Sequence, residues 1–445
     1  MRTFHLLVAN TLVANVTNNF LWFALTFWVY LETLSVLATA IIGGGYMLLV
    51  SISGMFFGTF VDRHRRRTSM IASSVITLAF FSLGGIVYLV APAPALRDLG
   101  HPAFWGLVAS VLAGAIAGNL RMVALSTTVT LLVPEDDRDR ANGLVGTANG
   151  VAFAITSVFS GLAVGLLGMG WCLAIAVVFT ALAAVHLLTI RIDEAPPQPS
   201  DDAPRVVDVR GAIRAVGLVP GLLALLLFST FNNFLGGVFM SLMDPYGLTL
   251  MSVEAWGFLI AFTSLGFIAG GILVARRGLG RNPVRTLLLA NVVMWVVTIV
   301  FPIRSEIVPL AIGFFVYLVL VPVAEASEQT IIQRVVPFRE QGRVFGFAQS
   351  LETAASPITA FLIGPIAQFW IIPSMTDGAL ADRIGSWFGT GPDRGMALVF
   401  IFAGIIGLLV TLGALRSTPY RNLSNRYLAA PPDAPPEAEL PAAAT

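Results

Sequence analysis

Apolar runs of about 20 residues or more recur along the whole chain, separated by short stretches holding charges, Pro or Gly. Each run is long enough to cross a hydrocarbon core of about 30 Å as a helix. Backbone polar groups must satisfy one another inside lipid, so continuous apolar segments of this length are helices rather than barrel strands. Composition agrees: 56% of the 445 residues are hydrophobic and 11% are charged, where soluble proteins carry about a quarter charged. The chain reads as an all-α polytopic membrane protein, with the lipid bilayer as its surroundings.

The breaks delimit twelve transmembrane helices, near 4–31, 36–61, 67–91, 103–132, 141–166, 169–190, 217–242, 253–275, 283–301, 308–335, 343–372 and 395–415. The first is too long for a signal-peptide core and lacks a small-residue cleavage site. Between the sixth and seventh lies a polar, Pro-rich linker, 191–214. The expected organisation is therefore an N-terminal six-helix bundle over 1–190, a cytoplasmic linker, a C-terminal six-helix bundle over 215–416, and a disordered cytoplasmic tail over 417–445 ending PPDAPPEAELPAAAT.

Basic residues orient the chain. All 26 are Arg; there is no Lys. With a cytoplasmic N-terminus, 21 fall on the inner side and four (Arg97, Arg304, Arg383, Arg394) on the outer side, leaving Arg121 within a span. The positive-inside rule then places both termini in the cytoplasm and the chain in the cell membrane. The outer stretch PSMTDGALADRIGSWFGTGPDRG is expected to hold a short amphipathic helix at the interface.

Several chemistries are excluded. Cys172 is the one cysteine, so disulfides within the chain and cysteine-rich metal sites are ruled out. Without lysine there is no phosphate-binding P-loop. His5, His64, His101 and His186 are scattered, with no metal or nucleophile constellation. No catalytic site, metal or organic cofactor is expected, and a net charge of +1 gives no reason to expect a nucleic-acid partner.

The halves repeat one another. Thr17–Phe20 (TNNF) in span one is matched by Phe231–Phe234 (FNNF) in span seven, offset by 214. After spans four and ten, Pro134, Arg140 and Gly143 fall on Pro337, Arg343 and Gly346, all offset by 203. Such matches at corresponding places support two pseudo-symmetric bundles around a central cavity.

The loop after span two reads GTFVDRHRRR, with Gly58, Asp62, Arg63 and Arg66 spaced as G-x-x-x-D-R-x-x-R. This pattern between spans two and three resembles the signature loop of the major facilitator superfamily. Arg65 stands where that family often has Gly. The counterpart after span eight, GILVARRG, keeps Arg276 and Arg277 but has Ala275 in place of the acid. Gly58 allows close helix approach, and Asp62 suits an arginine or a helix N-terminus. The resemblance implies a cytoplasmic gate of Gly58, Asp62, Arg63 and Arg66, with Arg140 as partner of Asp62; Arg65 and Arg67 read as topology signals.

The stretch AEASEQ in span ten holds Glu325 and Glu328 twelve and nine residues before Pro337, at depths of roughly 18 and 14 Å. In span four the pseudo-equivalent depth holds Arg121, whose counterpart is Ala324, beside Glu325. A charge at mid-membrane costs about 2.5–3.5 kcal/mol even on the lenient insertion scale, so such residues mark function. Resemblance implies that spans one, four, seven and ten face the cavity. Arg121 is then expected to pair with Glu325 and leave Glu328 to take up and release a proton, since two carboxylates in one turn resist ionising together. The plain alternative is a static salt bridge fixing the halves. Glu352 in span eleven is a further candidate, nearer the inner end, where a loop arginine could hold it.

Gln329 and Gln333 continue the stripe from Glu325 at i+4 and i+8. Asn18, Asn19 and Trp22 in span one, with Asn232 and Asn233 in span seven, are expected to line a substrate cavity among many aromatic residues, suited to a lipophilic, often cationic small molecule. The resemblance is strongest to twelve-span drug:proton antiporters, including macrolide, tetracycline and siderophore exporters. It implies a monomeric multidrug-efflux carrier driven by the proton gradient, with no cofactor. The span-five pattern of many antiporters is incomplete here: Gly161 and Gly165 are present but the Pro is missing. The alternatives are a proton symporter importing a metabolite and, from another class, a non-transporting membrane receptor.

Overall fold

The computed structural model describes residues 2–33, 36–192, 194 and 209–429. The first six spans are α1 (Arg2–Thr33), α2 (Val36–Arg63), α3 (Arg66–Val90), α4 (Pro102–Leu132), α5 (Arg138–Leu167) and α6 (Met169–Thr189). A short helix α7 (Val209–Leu218) precedes α8 (Leu222–Leu250), α9 (Val253–Arg277), α10 (Pro283–Val300), α11 (Ile307–Val335) and α12 (Gln341–Ile366). Two short helices, α13 (Ile372–Thr376) and α14 (Ala379–Phe388), lead to the last span, α15 (Pro392–Arg416), and then α16 (Thr418–Ala429).

Local chemistry sets the boundaries. Pro102 and Pro283 open α4 and α10 at the first turn, where a missing N–H costs nothing. Ser252 and Asn282 cap α9 and α10 by accepting the N–H of Ala255 (3.4 Å) and Arg285 (3.2 Å). Eleven helices among the described residues are long and apolar enough to cross a membrane. The remaining expected span, α5, is 30 residues long and carries Asn142, Thr147 and Asn149. Its lower hydropathy has a structural cause: Asn142 and Thr147 meet the other half and Asn149 accepts from Asn15 of α1, so these groups face protein rather than lipid.

The packing separates the two ends of the molecule. At the arginine-rich end a single core joins the halves, with Phe4, Leu125 and Val145 contiguous with Ile331, Val344 and Phe345. At the opposite end each half has its own core: Trp28, Phe104 and Met169 in one, Tyr246, Trp295 and Phe400 in the other. The helix pairs that cross between halves are chiefly α2 with α12, and α5 with α9 and α11. The halves are therefore locked at the arginine-rich end and parted at the other.

Two boundary expectations change. The segment expected to be a disordered tail from 417 begins with α16, which buries Leu423 and Tyr427. Their i, i+4 spacing gives the helix an apolar stripe to dock; residues 430–445 lie outside the described residues. Of the linker, α7 docks through Ala212, Ala215 and Val216, whereas 195–208 lie outside the described residues. The outer helix expected between spans eleven and twelve is α14, where Phe388 packs under the Arg394 guanidinium at 3.9 Å.

Candidate functional site

The contact between the halves at the arginine-rich end begins with Gly58. A Cβ there would overlap the Gly342 carbonyl oxygen, so only glycine lets α2 and α12 touch backbone to backbone. That contact brings Asp62 to the first turn of α12, where N–H groups lack intrahelical partners. Asp62 accepts from the N–H of Gly342 and of Arg343, each at 2.8 Å, and from Arg343 Nε at 3.1 Å. The partner is Arg343 rather than Arg140. Arg140, the pseudo-equivalent of Arg343, pairs with Asp137 of its own loop at 3.2 Å.

Arg66 is buried and held through both terminal guanidinium nitrogens, while its Nε has no hydrogen-bond partner among the described residues. It meets Glu194 (Nη1 to Oε1 3.1 Å, backbone N to Oε2 2.7 Å), donates to the Phe338 carbonyl, and stacks over the Phe338 ring at 4.2 Å. Burial pushes the Glu194 carboxyl above its ordinary range, and the Arg66 charge opposes that shift. Arg67 donates to the Ile190 and Leu188 carbonyls at the end of α6, a helix cap rather than a topology signal alone. Arg63 is half-buried in the last turn of α2.

A second clasp joins α5 to α9. Gly143 lies against the backbone of Ala275, and Gly271 against Thr147. Its acid is Asp139, on α5, which accepts the Leu279 N–H at 2.7 Å. Sequence reasoning missed Asp139 because it searched for the acid on the helix where the first clasp carries it.

Between the clasps lies a polar plug. The buried Gln333 donates to Ser126 O (2.8 Å) and accepts from Asn142 Nδ2 (2.8 Å), which also donates to Thr330 Oγ1 (2.9 Å). Thr130, 203 residues before Gln333, donates to Gln341 Oε1 at 2.8 Å, and Gln341 donates to Gln333 O at 3.0 Å. Buried Arg138, equivalent to Gln341, donates to the carbonyls of Gln333 and Thr130, each at 3.3 Å. These residues satisfy one another across the halves, as buried polar groups must.

Beyond the plug, the stripe from Gln333 runs back through Gln329 to Glu325 on the face of α11 turned toward α4 and α5. Gln333 is fully buried, Gln329 half-buried and Glu325 exposed, so the cleft opens along this face with its floor at Gln333. Arg121 does not reach Glu325. It is buried in the first bundle, bonded to Asn10 Oδ1 and Ser74 Oγ, and lines a small cavity with Asn15, Asn18, Ser73, Thr77 and Thr180. The common depth of Arg121 and Glu325 was readable from sequence, but the direction of each side chain around its helix axis was not. Glu328 accepts from Ser229 Oγ of α8 at 2.7 Å, and its carboxyl neighbours that of Glu352 of α12. Glu352 therefore lies beside a carboxyl, not a loop arginine.

The Asn pairs divide. Asn18 donates to Ala115 O at 3.1 Å, and its counterpart Asn232 accepts from Trp295 Nε1 at 2.9 Å. Both tie helices within their own bundles, so the repeat at these positions reflects packing. Asn19 is half-buried, and Asn233 donates to Ser229 O at 3.1 Å, one turn from Glu328's partner. Trp22 stacks on Tyr46, ring centroids 4.3 Å apart.

Two six-helix bundles around a cleft sealed at one end, with ionisable groups at mid-span, define a membrane transporter rather than an enzyme. The chain belongs to the Major Facilitator Superfamily, whose family model matches residues 7–360. It is similar to macrolide efflux protein A of Streptococcus pyogenes, 24% identical over 403 residues, covering 86% of this chain and 91% of that one. Macrolide efflux protein A of Enterococcus faecalis is also 24% identical, over 73% of this chain and 98% of that protein. Among solved structures, a bacterial homologue of the iron transporter ferroportin in an outward-facing state aligns with TM-score 0.70 at 13% identity, covering 94% of this chain and 100% of that chain. The E. coli fucose:proton symporter aligns with TM-score 0.65 at 12% identity, covering 91% and 98%. At such identities these structures share the fold alone.

Proposed function

We propose that the protein exports lipophilic small molecules, cationic macrolide-like compounds among them, across a bacterial cell membrane in exchange for protons. Both termini lie in the cytoplasm, so the conformation described above faces outward. The observation that carries this reading is Glu325, an exposed carboxylate at mid-span in a cleft closed at the arginine-rich end. An acid there can attract a cationic amphiphile and admit protons from the open side. The similarity to proteins named for macrolide efflux supports export over import. Glu328 supplies the proton-carrying group, and Arg121 acts from within the first bundle as a structural cation. The carrier works as a monomer.

The test is accumulation of a lipophilic cationic dye in a pump-deficient bacterial host expressing wild type, Glu328→Gln, Glu325→Gln or Arg121→Ala. Lower accumulation with wild type, abolished by a protonophore and by Glu328→Gln, is the expected result. Wild-type cells matching empty-vector cells, with normal surface expression, would remove dyes of this kind from the substrate range. Export of a macrolide itself would then decide between a narrow exporter and an importer.

A further inference from the structure

Three carboxyl groups stand near the middle of the second bundle, and their surroundings differ. Glu325 is exposed in the cleft. Glu328, one turn nearer the gate, has one oxygen filled by the Ser229 hydroxyl at 2.7 Å. Its other oxygen, Oε1, is buried without a conventional donor, and so is Oε1 of Glu352. The two carboxyl groups lie near enough to share a hydrogen bond once one of them carries a proton. An ionised carboxylate only accepts hydrogen bonds, so two of them in contact require a proton between them.

Among the described residues, neither acid forms a salt bridge with arginine. Arg121 is engaged by Asn10 and Ser74, and Arg343 by Asp62. Facing the pair, α11 contributes Glu325 as the other ionisable group and α8 contributes the neutral Ser229. On α2, Asp62 lies at the clasp, and on α8, Asp244 bonds Trp256 at 3.0 Å. The pair also sits where access must alternate. Glu328 is five residues before Gln333 of the plug, and Glu352 is nine residues after Arg343 of the clasp.

We propose that Glu328 and Glu352 form one proton site, holding a single shared proton in the outward-facing state, with Ser229 fixing its geometry and Glu325 standing outside it on the cleft side. This rests on the proton-coupled reading above. The proton enters from water in the cleft past Glu325 and bonds to a carboxylate oxygen of the pair. It leaves to water on the other side once α11 and α12 part from α4, α5 and α2. Glu352 is then a coupling residue.

Infrared difference spectroscopy of the purified protein in nanodiscs tests the shared proton without transport. Wild type should show the carbonyl stretch of a protonated carboxyl that titrates with pH. Glu352→Gln and Glu328→Gln should each lose that titration, Glu352→Asp should restore it, and Glu325→Gln should keep it. A Glu352→Gln spectrum with the wild-type titration overturns the proposal. In proteoliposomes with ethidium as probe, Glu352→Gln should lower pH-gradient-driven uptake at least about tenfold, a loss of about 1.4 kcal/mol in driving the step, and flatten its pH profile. Uptake by Glu352→Gln with a wild-type pH profile also overturns it. Wild type with the infrared band but no gradient-driven movement of ethidium or a macrolide would instead defeat the proton-coupled reading and leave the pair standing.

Discussion

Asp139 on α5 accepts the backbone N–H of Leu279 at 2.7 Å, across the boundary between the two bundles. Asp62 on α2 does the same for Gly342 and Arg343 on the opposite diagonal. Position 342, the counterpart of Asp139, is glycine, and position 275, the counterpart of Asp62, is alanine. Each clasp therefore has one acid at these paired positions, contributed in both cases by the first bundle. The internal repeat keeps the backbone contact and moves the charge.

Each acid should hold the gate to a similar extent. A hydrogen bond to a charged group contributes about 1.5–3 kcal/mol, so Asp62→Asn and Asp139→Asn should each shift the balance toward an open gate by about tenfold or more. The double variant should shift it roughly additively, because the clasps share no partner. Labelling of single cysteines at the gate, in a Cys172→Ser background, reads this directly. Equal labelling in Asp139→Asn and wild type would show that the second clasp carries no charge-dependent role.

Close approach at Gly58 leaves no room for a side chain, whereas a Cβ at Gly165 meets nothing within 4 Å. Gly58→Leu should leave the chain membrane-inserted but unable to close the gate, cutting transport at least about tenfold. Gly165→Ala should transport as wild type and, in a helix interior, gain stability of about 0.5–1 kcal/mol. Wild-type transport by Gly58→Leu would mean that α2 and α12 do not need this contact.

Arg66 and Glu194 make an asymmetric pair. Their side chains are each 4% exposed. Arg66→Ala strands a buried carboxylate and removes the ring contact with Phe338, so a cost of about 3–5 kcal/mol is expected. Glu194→Gln removes one charge but also that charge's desolvation, and should cost less. Thermal melting of the detergent-solubilised protein compares the two; a larger loss for Glu194→Gln would contradict the account.

Arg121 should couple to Ser74 and Asn10, not to Glu325. In double-mutant cycles on stability, Arg121 with Ser74 should show an interaction above about 0.5 kcal/mol, and Arg121 with Glu325 one within about 0.3–0.5 kcal/mol of zero. A strong Arg121–Glu325 coupling would restore the direct ion pair expected from their common depth.

Much of the architecture was legible because lipid makes sequence speak plainly. Span lengths, the six-plus-six division and the repeated Pro337–Arg343–Gly346 pattern all follow from apolar run length and offset. The gate was half legible: Gly58 and Asp62 stand in a recognisable loop, but their partners lie 280 residues away on α12. Depth was also readable, since Glu325, Glu328 and Arg121 can be counted from a helix end. Azimuth was not, and azimuth separates Arg121 from Glu325 and turns Asn18 and Asn232 into their own bundles.

The sequence by itself determined the element type, the number of spans and the depth of the buried charges, because helix rise and the thickness of the hydrocarbon are fixed lengths. Only the tertiary structure decided which groups meet. Side-chain direction around a helix and the pairing of helices from opposite halves depend on packing over the whole molecule. That packing brought Asp62 to Arg343, Asp139 to Leu279, and Glu328 to Ser229 and Glu352.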